Sequence, residues 1–311
     1  MANADFSSWT PIQWDTQVEG REVIRSALYD AGTVRPMESD TLEIERYLGA
    51  DVNMGETYTD DTHNGDTVIL YSGVFNGKQP VSEKQVEDSA ADVITALSFE
   101  WMNSFNLSVD TSSLGVSGAR SSTPSDGRPF PSVYYTLGQS DSTAGYTGNA
   151  NINVDTLLTG GYASLSETLA LVEKNKFWNP ANAAVIVHPA LKDALRQIQT
   201  PGGNYIFVES SAGYPGGGGG LGNTLLDVPI FWSYGNQVAA SNASTAALGN
   251  KLITFVNRKH FRRGDRIAPQ VRFVPSAINT TSMSHTVLTR ARQGAVLSVP
   301  QAAAILSVSD V

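Results

Sequence analysis

The sequence predicts an α+β fold, and three observations carry that reading. A long apolar-striped helix follows the stretch Val81-Ser82-Glu83-Lys84-Gln85-Val86. An extended segment with an acidic Asn-Gly turn comes just before it. Strands and helices then alternate without a regular βαβ period, which argues against a doubly wound sheet.

The helix starts on a good signal. Ser82 suits an N-cap, and the Gln85 side chain can reach back to the cap amide. Val81 and Val86 occupy the staple positions around it. Val86, Ala90, Val93, Ile94, Leu97, Trp101 and Phe105 recur at helical spacing on one face. The helix is predicted over 82–107, roughly 38 Å at 1.5 Å per residue. Fed by a protruding hairpin, it reads as a scaffold element.

Residues 42–80 read as that hairpin. Leu42, Ile44 and Tyr47 lead out; Val68, Ile69, Leu70, Val74 and Phe75 lead back. The tip is Asp60-Asp61-Thr62-His63-Asn64-Gly65-Asp66, where Asn-Gly is a strong turn signal. Residues 1–41 include Trp9, Trp14 and a possible short helix from Glu19 to Tyr29, with too little apolar content to fold alone. After the helix, 111–150 is a loop region anchored by Phe130-Pro131 and Val133-Tyr134-Tyr135. A second helix is predicted from Ser164 to Asn175, a buried strand over Ala183–His188, and a helix opened by Pro189 that runs to Ile198. Pro201–Asn204 is a turn, followed by strands at Tyr205–Val208 and, beyond a glycine tract, Leu225–Trp232. Further strands are Leu252–Val256, Val271–Val274, Val287–Arg292 and Ala295–Val299, and Ala302–Leu306 closes the series.

At 311 residues, 41% of them hydrophobic, two subdomains with a sizeable core are expected. The absence of cysteine excludes disulfides and thiolate metal sites. No apolar run approaches the ~18 residues of a membrane span. Residues 1–6 lack a signal-peptide pattern, so a soluble chain made in a cytoplasm is expected. The net charge of -9 hides an asymmetry. Glu38, Asp40, Glu43, Glu45, Asp51, Glu56, Asp60, Asp61 and Asp66 are opposed only by Arg46. Lys251, Arg258, Lys259, Arg262, Arg263, Arg266, Arg272, Arg290 and Arg292 are opposed only by Asp265. Two solvated faces of one monomer would explain this. So would an acidic arm of one subunit lying on a basic surface of the next.

Catalytic signatures are missing. Gly216–Gly222 lacks the Lys-[Ser/Thr] of a phosphate loop and reads as a surface loop. His63, His188, His260 and His285 lack metal-ligand spacing, and His188 reads as a satisfied strand-end residue. Gly-x-Ser-x-Gly is absent. The carboxylate pairs Glu43/Glu45 and Asp60/Asp61 lie on exposed arms where nothing would raise a pKa. No catalytic, cofactor or metal residues are assigned, and the chain is not expected to be an enzyme. The cluster Arg258–Arg266 is read as a subunit contact, with phosphate contact and a solvated face as the other readings.

The order of these pieces resembles the major capsid protein of tailed bacteriophages, with the Hong Kong 97-type fold shared with encapsulins. Residues 81–114 look like that family's spine helix, and Gly118–Pro131 like the Gly/Pro-rich stretch after it. Ala184–Leu195 with Gly202–Phe207 is similar to the entry into the axial domain. Leu225-Leu226-Asp227-Val228-Pro229-Ile230 resembles a family strand motif, with Asp227 in place of the usual glycine. Thr289–Ala302 looks like the final strand pair of the peripheral domain. The resemblance implies an N-terminal arm (1–41), an extended loop (42–80) and a peripheral domain (81–180) carrying the spine helix. It further implies an axial domain (181–280) and return strands of the peripheral domain (281–311). The expected function is a structural virion protein that self-assembles into hexamers and pentamers of an icosahedral shell around phage double-stranded DNA, without sequence-specific DNA contact. An encapsulin-like compartment is the alternative. Expected partners are further copies of the chain, a portal and a separate scaffolding protein, with room for decoration proteins. Assembly in the host bacterial cytoplasm is expected, and no membrane. Crosslinking through a loop lysine is not expected, since the tip has none and Lys78 lies near the base. The interface residues are read as Glu56, Asp60, Asp61 and Asp66 on the acidic side. Arg258, Lys259, Arg262, Arg263, Arg266, Arg290 and Arg292 form the basic side. Charge reversal by Arg262→Glu with Arg263→Glu is expected to impair assembly and leave the monomer fold intact.

Overall fold

Alternating side chains between Phe261 and Leu297 build the longest strand pairing in the chain. β11 (Phe261–Val274) and β12 (Ser284–Leu297) run antiparallel, from Phe261 opposite Leu297 to Val274 opposite Thr286. The sequence reading broke this stretch at its charged and glycine positions. Gly264 and Gly294 instead face each other across the ladder, so neither interrupts it. The computed structural model describes residues 25–47, 65–82, 93–121, 127–156, 161–208, 224–239, 249–274 and 284–309.

β4 (Gly73–Ser82) pairs with the other side of β12, and β1 (Thr33–Pro36) runs parallel to Arg262–Asp265. The order is β1-β11-β12-β4. β2 (Thr41–Tyr47) and β3 (Gly65–Tyr71) form a separate antiparallel pair. The hairpin expected over 42–80 is therefore shorter. Its return strand stops at Tyr71, and β4 leaves to join β12 because Phe75 and Val81 have a core to enter there. Of the expected tip, 60–64 lie outside the described residues; Gly65 and Asp66 open β3.

The third sheet has the order β5-β13-β10-β6-β9-β8-β7. Its strands are β5 (Ile152–Asp155), β6 (Ala183–Val187), β7 (Phe207–Val208), β8 (Thr224–Leu225), β9 (Val228–Trp232), β10 (Lys251–Asn257) and β13 (Ala303–Val308). β6 and β13 are buried along their whole length, as central strands covered on both faces should be. The pairing redraws the expected domain limits. β5 and β13 come from stretches assigned to the peripheral domain, yet they join the sheet of β6 and β10. β11, placed in the axial stretch, joins β12 and β4.

The long helix is described from Val93 to Leu114; its expected start over 83–92 lies outside the described residues, and Ser82 ends β4. The predicted stop near Leu107 falls short. Val109 and Leu114 are fully buried, so the last turns are held by packing that periodicity up to Phe105 did not register. Trp101 stacks on Phe105 at 5.3 Å, and Phe75 meets Phe105 edge-on at 5.3 Å. These contacts fasten the helix under β4 and β12.

One polar residue fixes the helix end. Asp110 is 1% exposed. Its Oδ1 accepts from Ser26 Oγ (2.5 Å) and Leu28 N (3.2 Å), and its Oδ2 from Ser233 Oγ (2.5 Å) and Ala27 N (2.9 Å). The carboxylate thereby joins the short helix Ala27–Ala31, the long helix and the segment after β9. Burial pushes its pKa up, and the four donors offset that in part. Gly235 permits the approach: a Cβ there would lie 2.7 Å from the Asp110 Cβ.

Three local corrections follow from cap chemistry. The loop region 111–150 contains a helix, Val133–Gly138, whose cap Ser132 accepts from Tyr135 N at 2.9 Å. The second helix spans Gly161–Glu173, so Ser164 is inside it and donates to Asp155 instead of capping. Between β8 and β9, Leu226 (φ 50°) and Asp227 (φ 65°) both sit in the left-handed region, which makes a tight primed turn. Asp tolerates this region better than most residues with a side chain, which accounts for its standing where the resemblance expects glycine.

Asp110→Asn is expected to cost about 1–3 kcal/mol in denaturant unfolding of the unassembled subunit, because either orientation of the amide sets an NH2 against a backbone N–H. His188 gives a pH signature. Its Nδ1 accepts from Ala190 N at 3.1 Å as cap of the turn Pro189–Leu191, and burial, then Lys251, lower its pKa to about 4. The unfolded chain binds this proton more readily, so the stabilisation is complete above pH ~6.5 and falls as pH drops toward ~4, by about 2–3 kcal/mol in all. His188→Asn keeps a cap acceptor and should flatten that part of a stability–pH curve.

Candidate interaction surface

The three long strands β11, β12 and β4 form a slab with two unlike faces. Val287, Thr289 and Ala291 point to the side where Trp101 and Phe105 pack. Residues of the other parity form rows across the strands on the opposite face. The register places Arg272 opposite Leu288 and Leu288 opposite Lys78. Gln270, Arg290 and Asn76 make the next row, and Arg292 with Val74 the one after. Apart from the half-buried Arg292, all of these side chains are exposed. No described carboxylate makes a salt bridge with Arg272, Arg290 or Lys78. The face is cationic, with Val74 and Leu288 as exposed apolar patches within it.

At its inner end the cationic face meets the hairpin base. Asp40 pairs with Arg266 and with Arg292 (3.2 Å), and Ser72 Oγ donates to it at 3.0 Å. Ser72 N also donates to the Asp40 carbonyl at 2.8 Å, closing the hairpin neck. Beneath it, a Cβ on Gly264 would sit 2.3 Å from Met37 Sδ, and one on Gly294 2.0 Å from the Tyr71 carbonyl. The glycine pair is thus the seat of the hairpin. A second tie is Arg46, buried opposite Asp66. Its guanidinium pairs with Asp66, and its Nη1 donates to Asp141 (2.8 Å) and to the Ser298 carbonyl (2.8 Å). Burial works against its charge, but Asp66 and Asp141 hold its pKa above the ordinary value; Arg46 in turn holds Asp66 below its own.

The structure sorts the residues read as interface. Glu56, Asp60 and Asp61 lie outside the described residues, as does the glycine tract. Asp66 is engaged inside the chain by Arg46. Arg258 and Lys259 are exposed; Arg258 Nη2 donates to the Asp30 carbonyl at 2.7 Å, and its guanidinium lies 5.8 Å from the Phe231 ring. Arg262 is half-buried, its pKa lowered by burial and then by Arg35. Arg263 is 8% exposed, pairs with Asp265 at 2.7 Å and stacks on Tyr29 at 3.9 Å. Reversing its charge would break the interior, so the expectation that an Arg262/Arg263 reversal spares the fold is corrected. Arg266 and Arg292 are held by Asp40, and Arg290 stands exposed. The sequence reading left Arg272 and Lys78 out of its interface set. Period-two parity along the regular stretch Gln270–Val274, paired with Thr286–Arg290, puts Arg272 on the face.

Comparison with known proteins bears on the whole chain. A family model described as the phage capsid family matches residues 9–308. No curated protein matches. Among solved structures, the chain resembles a structure from Mycobacterium phage Bobi, with TM-score 0.68 and 12% identity over 100% of this chain and 99% of that one. It resembles the capsid of an empty GTA particle computed with C5 symmetry, with TM-score 0.67 and 15% identity over 98% and 97%. A structure from Microbacterium phage Oxtober96 gives 0.66 and 13% over 99% and 98%. The likeness to these structures is consistent with the Hong Kong 97-type fold.

Arg46→Met should cost the subunit about 2 kcal/mol in denaturant unfolding, since it leaves Asp66 and Asp141 without their cation in a part-buried site. The loss should shrink in acid, where protonation of Asp66, whose pKa Arg46 holds down, removes an unpaired charge.

Proposed function

The chain belongs to the phage capsid family and is a structural protein of an icosahedral shell, and we propose that its copies meet by setting an acidic extended loop on the cationic slab face of a neighbour. The observation that carries this is the charge segregation. Glu56, Asp60 and Asp61 lie close together in the sequence between β2 and β3, while Arg272, Arg290 and Lys78 share an exposed face that no described carboxylate neutralises. Arg258, Lys259, Arg262, Arg266 and Arg292 lie toward the inner part of the same basic region and belong to the proposed contact. Arg263 serves it indirectly by fixing β11. Exposed ion pairs contribute roughly 0.2–1 kcal/mol each, so the charges steer and register the contact while buried apolar area supplies most of the affinity.

In this reading the long helix and the β11–β12–β4 slab form the peripheral part of the subunit. The seven-stranded sheet forms the axial part. Hexamers and pentamers of the chain enclose phage DNA in the virion, with a portal and a separate scaffolding protein as partners during assembly in the host cytoplasm. The similar solved structures are phage and GTA capsids, which favours this over an encapsulin-like compartment.

Arg272→Glu with Arg290→Glu tests the contact. Both side chains are exposed, so the subunit should unfold at the wild-type denaturant midpoint. Shells counted by electron microscopy should fall about tenfold or more at low salt. Adding Asp60→Arg and Asp61→Arg should restore them. Normal shell yield from the Arg272/Arg290 variant would sink the proposal.

A further inference from the structure

A strand at the edge of a sheet offers a row of backbone N–H and C=O groups that another strand can satisfy in full. β11 has such an edge on the side away from β12. β1 covers it opposite Arg262–Asp265, and beyond that point no described strand pairs with it. Register irregularities between Asp265 and Gln270, together with Pro269, guard the first part. From Gln270 to Val274 the pairing with β12 is regular, no described strand pairs with the outer edge, and Gln270, Val271, Arg272 and Phe273 are exposed.

The chain's other strand edges narrow the choice of partner. β5 and β7 span four and two residues, too short to cover this stretch in register. β3 lies against β12, with its Tyr71 carbonyl over Gly294. β4 carries Lys78 and no carboxylate, so it would bring like charge to Arg272. β2 fits. It spans seven residues, exposes Glu43 and Glu45 on one face, turns Leu42, Ile44 and Arg46 inward, and is paired with β3 on one side. Within one chain it is seated beside Gly264, about 20 Å along the strand from Gln270, so it cannot cover its own edge.

We propose that β2 of one copy adds as a further strand to the outer edge of β11 in a neighbouring copy, over Gln270–Val274. Glu43 and Glu45 then lie beside Arg272 and, one strand further in, Arg290. The inference rests on the shell reading and gives its hairpin contact a backbone register. Because two different edges of the chain meet, the contact is heterologous and repeats around a ring.

The chain has no cysteine, so introduced pairs report without background. Double variants would carry Glu43→Cys or Glu45→Cys together with Gln270→Cys or Arg272→Cys. Cross-strand neighbours lie at about 4.5–5.5 Å between Cβ atoms, so a local shift of about 1 Å brings them to the ~3.5–4.5 Å of a disulfide. Mild oxidation of assembled particles should turn roughly half or more of the monomer band into a ladder for the pairs in register. Each single variant, and Glu43→Cys with Asp193→Cys on the exposed face of the helix Lys192–Gln197, should stay monomeric on the gel. Intact particles with no ladder from any β2–β11 pair would overturn the inference and leave the shell reading standing. Failure of the folded wild-type chain to form shells or rings when co-expressed with its scaffolding protein would take both down together.

Discussion

A carboxylate placed where water cannot reach it must be satisfied by donors from the chain, and Asp110 obtains them from two stretches while belonging to a third. Ser26, Ala27 and Leu28 come from the N-terminal side, Ser233 from after β9, and the acid itself from the last turns of the long helix. None of the three can move without leaving a buried polar group unpaired, a cost of about 1–3 kcal/mol per group. The helix is therefore fixed at its buried end. The slab above it inherits a defined position through Trp101, Phe105 and Phe75, and that position exposes the cationic rows.

The hairpin is governed by a different balance. Its neck sits on two facing glycines where a methyl group would collide with Met37 or the Tyr71 carbonyl. Its strands are tied down by a buried arginine shared between Asp66 and Asp141. Only a small apolar cluster, Met37, Ile44, Leu70 and Val296, lies between the hairpin and the body. An element seated by shape and charge over so small a core can be stable in place and still give most of its surface to a partner.

Much of this was legible in the sequence, for reasons that can be named. The strand Ala183–Val187 was an uninterrupted apolar run, and the N-terminal half of the hairpin alternated cleanly. Phe130 and Val133, read as anchors in a polar stretch, are both buried. What failed was pairing. Nothing local says that Gly73–Ser82 prefers β12 to β3, or that Ala303–Val308 joins the larger sheet. Those choices are made by partners far off in the sequence, not by the local pattern. Charge misled in one place: Arg263 looks like its neighbours in sequence, but strand parity turns it inward onto Tyr29. On the candidate surface the sign of the charge was readable, and the face was not, because strand length decides which residues share parity.

β13 lies in the interior of its sheet, between β5 and β10. Its residues, 303–308, leave the ribosome after those of every other strand. While they are still in the exit tunnel, β10 keeps an open flank along Lys251–Val256, and β5 has no neighbour at all. Long-range pairing of this kind folds slowly and exposes sticky edges until the last piece arrives. The order of strands thus acts as a clock: the larger sheet cannot close before residue 308 emerges, and β10 and β5 are joined only then.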